Sequence, residues 1–146
     1  MSWSKEAEQS VLGACMLDEL AYEAVSDTGI TADDFHSAQH RIIWSAIESV
    51  AKAGDQIDVL SVVESLRAKG ASDDAGGIEY VSYLVDVTPS SDGAATYAGI
   101  VKEWSRKRQL RTLGETVSMM IADGESPDDV QEYAGSELMR LESGRS

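Results

Sequence analysis

The chain has a single cysteine, so it cannot close an internal disulfide, and its 146 residues are enough for one core without staples. Cys15 lies in the apolar run Val11-Leu12-Gly13-Ala14-Cys15-Met16-Leu17, where a small buried hydrophobe in a reducing compartment is the simplest expectation. Nowhere do eighteen apolar residues run together, and the opening Met1-Ser2-Trp3-Ser4-Lys5-Glu6 turns polar before any stretch of signal length. A cytoplasmic, soluble protein with no membrane partner is expected. Basic residues are scarce: 12 against 26 acidic ones leave a net charge of -14, which disfavours strong direct DNA binding. No Asn-Gly or Asp-Gly turn separates two alternating runs, and the β-branched residues sit at helical spacing, so strands are not expected. No Gly-x-x-x-x-Gly-Lys-Ser/Thr is present to cradle nucleotide phosphates, so this chain is not expected to hydrolyse ATP.

What is there reads as helix throughout. Ser4 to about Asp18 forms the first, with Ala7, Val11, Ala14, Cys15 and Leu17 or Asp18 round one face; Glu19 to Ser26 forms a second, ended before Gly29. Thr31-Ala32-Asp33-Asp34 has the capping-box form and predicts one turn ending near Phe35. Ser37 caps a helix to about Ala53, with Ile43, Ile47 and Val50 facing inward, and Asp58 caps another through Lys69, with Val59, Val62, Val63 and Leu66 inward. After the Gly76-Gly77 turn, Ile78, Val81, Leu84 and Val85 continue the pattern until Pro89.

Ser90-Ser91-Asp92 then offers capping chemistry for a much longer helix, from about Gly93 to Ala122. Asp123-Gly124-Glu125 makes a short turn, and Ser126-Pro127-Asp128-Asp129 restarts a helix carrying Val130, Tyr133, Ala134, Leu138 and Leu141. The expected fold is all-α: a globular helical bundle over residues 1–90, a protruding antiparallel helical hairpin over 91–143, and a tail or linker start at 144–146. A protruding pair cannot bury all its apolar surface against its own bundle, and self-association is the economical solution. Gly99, Gly114 and Gly135 each cost the hairpin about 1 kcal/mol relative to alanine, which close helix approach can offset.

Sites for bond chemistry are not expected. His36 and His40 have the spacing of two zinc ligands on a helix, but no third ligand is evident, and a cap at Ser37 leaves His36 outside the helix; a capping or half-buried histidine is the simpler expectation. The doublets Asp33-Asp34, Asp73-Asp74 and Asp128-Asp129 fit helix starts better than calcium loops. Ser10 lacks the Gly-x-Ser-x-Gly elbow of a nucleophile. No catalytic residue, metal or cofactor is therefore assigned. Trp44, Tyr80 and Tyr83 are expected in or near the core. Lys102, Arg106, Lys107, Arg108 and Arg111 form the one basic cluster, either a solvated helix face or a stripe for a partner.

The string Glu6-Ala7-Glu8-Gln9-Ser10-Val11-Leu12-Gly13, followed by Met16-Leu17-Asp18, resembles the start of the N-terminal domain of DnaB-type replicative DNA helicases. Asp33-Asp34-Phe35, His40-Arg41-Ile42-Ile43, Ile57-Asp58, Val63-Glu64-Ser65-Leu66, Gly76-Gly77 with Tyr80, Thr88-Pro89-Ser90 and Tyr97-Ala98-Gly99-Ile100-Val101 follow in that family's order, across nearly the whole chain. The resemblance implies a bundle bearing a hairpin, hairpins that pair into a ring of three dimers, and a collar that receives the C-terminal domain of the primase. On that footing Trp104, Leu110, Leu113, Val117, Met120, Ile121, Tyr133 and Leu138 are expected to pair subunits, and Tyr97, Arg106, Lys107, Arg108 and Arg111 to be available for docking. The partners implied are a second copy, as a homodimer or trimer of dimers, and a replicative helicase, primase or helicase loader in DNA replication. Two readings stay open here. The chain is either part of an ATP-dependent helicase without its motor, or a free-standing, phage-type or accessory mimic that regulates or inhibits one.

Overall fold

The computed structural model describes residues 2–143, so the expected tail at 144–146 lies outside the described residues. Seven α-helices and one 3-10 turn account for the ordered elements, and there is no strand among the described residues. They are α1 Lys5–Leu17, α2 Glu19–Asp27, the 3-10 turn Ala32–Asp34, α3 Ala38–Lys52, α4 Val59–Ala68, α5 Gly77–Asp86, α6 Ala94–Ala122 and α7 Pro127–Ser143.

Short polar side chains set most of the boundaries. Ser4 Oγ accepts from the Ala7 amide at 3.2 Å to open α1, and Ser37 Oγ accepts from the His40 amide at 3.4 Å to open α3. Asp58 and Ser61 exchange bonds of 2.8 and 3.0 Å in a capping box for α4, and Ser126 Oγ accepts from the Asp129 amide at 3.1 Å behind Pro127. Asp18 does two jobs: its backbone amide closes α1 on the Ala14 carbonyl, and its Oδ1 opens α2 from the Leu20 amide at 2.9 Å. Gly76, at φ +95°, supplies the left-handed residue that begins α5.

At α6 the expected serine cap is not made, because Gly93 is the capping residue and no side chain bonds the first turn. Ser90 Oγ instead accepts from the Asp92 amide at 3.1 Å, and the Ser91 hydroxyl reaches across to the Asp18 carboxylate at 3.4 Å. The polar run before α6 therefore tethers the α5–α6 connection to the α1–α2 corner.

Helix α1 is the axis of the bundle. Val11 through Met16 are all buried, because α2, α3, α5 and α6 pack around it. The one-sided stripe expected for this helix is therefore too narrow, and Leu17, placed inward by that stripe, is half exposed. Gly13 is where α5 comes closest: a Cβ there would run into the Thr88 hydroxyl and the Leu84 carbonyl. Phe35, Ile43, Trp44, Ile47, Val62, Val63, Leu66, Val81 and Leu84 fill the rest of the core.

The core also takes in the first three turns of α6, where Ala94, Ala98, Val101 and Ser105 are buried. Beyond Ser105 the helix leaves the bundle. At 1.5 Å per residue its full length is roughly 43 Å. Helix α7 returns antiparallel along it, and Val130 is the one buried residue on α7 among those described. No helix among the described residues is long and apolar enough to cross a membrane.

Candidate functional site

Two features bear on function: a buried polar knot within the bundle, and the hairpin. Glu8 and His40 are each about 1% exposed, and His40 Nδ1 lies 2.7 Å from Glu8 Oε1. The same carboxylate accepts from the backbone amides of His36 at 2.7 Å and Ser37 at 3.3 Å. His40 Nε2 lies 2.6 Å from the Tyr80 hydroxyl, which also accepts from Gln9 at 3.4 Å. In the tautomer with Nδ1–H donating to Glu8, Nε2 accepts from the Tyr80 hydroxyl, and every member has a partner. Burial pushes the Tyr80 hydroxyl above its ordinary value, so it stays protonated and acts as a donor, not a nucleophile. Trp3 covers this knot, its ring 4.9 Å from that of His36 and 6.1 Å from that of His40.

His40 is thus fully buried, and not the half-buried histidine expected. The pattern held a usable sign: His40, Ile43, Ile47 and Val50 share one helical face, so His40 points where the apolar residues point. Glu8 gave a comparable sign, sitting one turn before Val11 and Leu12 on a helix that proves buried nearly all round.

Arg108 ties the hairpin's root to the chain segments that precede α1 and α3. Its guanidinium donates to the Asp34 carbonyl at 2.7 Å and the Ser2 carbonyl at 3.0 Å, and burial holds it below its ordinary value while the Glu8 charge opposes that shift. The Ser105 hydroxyl donates to Asp34 Oδ1 at 2.9 Å, and Lys102 Nζ donates to the Thr28 carbonyl. Lys102, Ser105 and Arg108 follow at three-residue steps, so one face of α6 is bolted to the 28–35 segment.

Two of the docking candidates are thereby engaged within the chain. Arg108 is a strut, and Tyr97 is half-buried against the core and Gly93. Arg106, Lys107 and Arg111 remain exposed, with Lys107 Nζ 4.6 Å from the centre of the Trp104 ring. Among the pairing candidates, Leu110, Ile121 and Leu138 are exposed, joined by Met119 and Met139, which the sequence reading did not name. Trp104, Leu113, Val117, Met120 and Tyr133 are half-buried. Tyr83, expected near the core, is 47% exposed.

A crevice of about 590 Å³ lies between the 28–34 segment, α6 and the end of α7. Its lining sets Asp33, Asp34 and Glu103 against Lys102, Arg106 and Arg140. Such balanced charge marks no preference for an anion or a cation, and Lys102 is already bonded. Among the described residues no group of three or more metal-ligating side chains converges.

The arrangement matches known proteins over most of its length. The family described as "DnaB-like helicase N terminal domain" matches residues 1–103. The "Replicative DNA helicase DnaB" of Pasteurella multocida is 33% identical over 145 residues, covering 98% of this chain and 31% of that protein. The chain thus spans about a third of the length of this relative. The crystal structure of the N-terminal domain of DnaB helicase from Mycobacterium tuberculosis superposes with a TM-score of 0.89 at 28% identity, covering 94% of this chain and 97% of that one. A DnaB-like replicative helicase, whose structure was described together with its interactions with primase, shares the fold at a TM-score of 0.74 and 21% identity, covering 94% of this chain and 31% of its own. The chain belongs to the DnaB-like helicase N-terminal domain family.

Proposed function

We propose that this chain is a non-catalytic assembly and docking module of a replicative DNA helicase, whose hairpin pairs subunits and whose assembled collar presents a surface to a primase or a helicase loader. The observation that carries the reading is that, among the described residues, α6 buries nothing after Ser105 and α7 buries only Val130. Before Ser105, Ala94, Ala98 and Val101 of α6 are buried in the bundle core, whereas along the projecting part Leu110, Met119, Ile121, Leu138 and Met139 stand in solvent. Burying such side chains favours pairing, at up to roughly 1.5–3 kcal/mol each.

The relatives' names support the helicase setting, and the described interactions of the DnaB-like helicase with primase support the docking half. Any ATP-driven unwinding belongs to a part of the parent protein that this chain does not contain, and the setting is cytoplasmic. A homodimer, or three dimers in a ring, is the expected assembly. Arg106, Lys107 and Arg111 are the basic groups still free to meet a partner.

The test is light scattering across a dilution series, with and without a full-length replicative helicase. A concentration-dependent dimer or hexamer that leaves the helicase ring intact is the expected result. A strict monomer would remove the pairing role, and a ring that dissociates on mixing would make the chain an inhibitor.

A further inference from the structure

At one end of the bundle, two stretches of chain without a lysine or arginine meet. Residues 6–40 and 70–101 contain neither, yet they carry eight and five of the chain's 26 acidic residues. From the Gln9–Tyr80 bond to the approach of Gly13 to Leu84, α1 and α5 each advance by four residues, so the two helices run parallel and end together. Thr88 also lies against Gly13, and the Ser91 hydroxyl reaches the Asp18 carboxylate. The α1–α2 corner and the α5–α6 connection therefore form one surface.

That surface is apolar where a closed bundle has no need of it. Leu17 closes α1, Leu20 stands in the first turn of α2, and Tyr83 and Val87 lie one turn apart at the end of α5; all four are exposed, Leu20 to 70%. A lone exposed leucine needs no explanation, but four large apolar side chains at one end of a bundle do. Leu20, Glu23, Ala24 and Asp27 follow at three- and four-residue steps along α2, and all are exposed, so its outer face is apolar and acidic together. Glu19, Glu23, Asp86 and Asp92 are exposed, and none makes an ion pair among the described residues. Glu19 sits at a helix start, where a carboxylate is favoured. Asp86 is the last residue of α5, where the helix dipole disfavours it and no basic residue stands in the last turn. Local helix chemistry therefore does not account for the charge.

We infer that this corner of the bundle is a docking surface for a basic amphipathic helix of another protein, its apolar stripe covering Leu17, Leu20, Tyr83 and Val87 and its lysines or arginines meeting Glu19, Glu23, Asp86 and Asp92. The two features of the corner call for the two halves of one such ligand. The partner is a helix because the surface is built from helices, whose backbone groups are bonded internally; an incoming segment finds no edge to pair with and has to satisfy its own amides and carbonyls. A polyanion is repelled from a face with four free carboxylates and no cation in either stretch that builds it. Apolar contact supplies the affinity, while charge selects the partner and makes binding weaken as salt rises. The inference uses none of the hairpin residues proposed to pair subunits and does not depend on that pairing.

The probe is a synthetic helix of about fourteen residues, roughly four turns, with leucine along one face, lysine elsewhere and a nitroxide at one end. Titrated into the isotope-labelled chain, it should broaden amide signals at residues 17–24 and 83–92 and leave the hairpin's untouched. Leu20→Ser with Glu23→Lys, both on the surface, should weaken binding about tenfold or more. Asp128→Lys makes the same change of charge at the hairpin tip and should leave binding unchanged, and a peptide of the same composition with its leucines scattered round the helix should bind far more weakly. Broadening spread over the hairpin, an equal loss with Asp128→Lys, or equal binding of the scattered peptide would overturn the inference, reducing the effect to attraction between any cation and an acidic chain. Light scattering closes the remaining route: if Leu20→Ser with Glu23→Lys lowers self-association, a second copy covers this face and the inference fails. A strict monomer that still binds the helix at this corner would uphold it while removing the pairing role of the hairpin.

Discussion

Replacing Glu8 by alanine removes one carboxylate and orphans three donors: the His36 and Ser37 amides and the His40 ring. The His40 ring is enclosed, so water cannot substitute there, while the two amides are half-buried. Removing the acceptor costs on the order of 1–3 kcal/mol for a donor left buried and unpaired, and the urea midpoint of Glu8→Ala should fall accordingly, with Glu8→Gln losing less because its amide oxygen still accepts. A loss below about 1 kcal/mol, the size of a single ordinary hydrogen bond, would show that the knot is not holding the N-terminus to α3. Cys15 gives a pH prediction of fixed sign. Burial raises its thiol from its ordinary 9.0 to about 12, so the folded chain keeps a proton that the unfolded chain sheds. Its contribution is fully present below pH 9 and is lost as pH climbs from 9 toward 12. The fall in urea midpoint over that range should be shallower in Cys15→Ala than in the native chain; equal slopes would mean that other groups account for all of it.

Helix ends are where local chemistry decides most, and the caps at Ser37, Asp58 and Ser126 were all legible, because a short side chain bonding an amide three residues on needs nothing from the rest of the fold. Asp58→Ala should cost about 1 kcal/mol and fray α4 first, as amide exchange at Ser61 and Val62 would show. Residues whose partners lie far along the chain were not legible. Ser91 looked like a cap but bonds Asp18, and Arg108 looked like part of a free basic stripe but holds Ser2 and Asp34; both depend on how α6 lies against α1. The hairpin glycines separate local from assembled effects. Gly114 and Gly135 are both helical, exposed and unobstructed, so alanine at either should stabilise its helix by about 0.5–1 kcal/mol. If the subunits cross near Gly114, then Gly114→Ala should also weaken the dimer while Gly135→Ala leaves it unchanged, and equal dimer constants for the two would move the crossing elsewhere.

At the scale of the whole chain, the division between bundle and hairpin falls within a helix. Sequence patterning sets the hairpin apart at about residue 91, since Pro89 and the serines punctuate the chain there, and punctuation says nothing about which turns of the next helix are inside. Ala94, Ala98, Val101 and Ser105 are buried in the bundle, and Arg108 closes its surface. A chain ended after Ala122 keeps all of these and loses α7, so it should fold with a cooperative transition and near-native helicity over α1 to α5, but no longer dimerise. A chain ended after Gly93 exposes the sides of α1 and α2 that α6 covers. Losing Val101 and two buried alanines removes several kcal/mol of burial from a domain whose total is roughly 5–15 kcal/mol, and the Ser105 and Arg108 bonds to the 28–35 segment go with them. That shorter chain should melt broadly or not fold. Circular dichroism during heating distinguishes the two outcomes: sharp, similar transitions for both truncations would mean that α6 is an appendage, whereas a sharp transition for the longer chain alone makes its first turns a wall of the bundle.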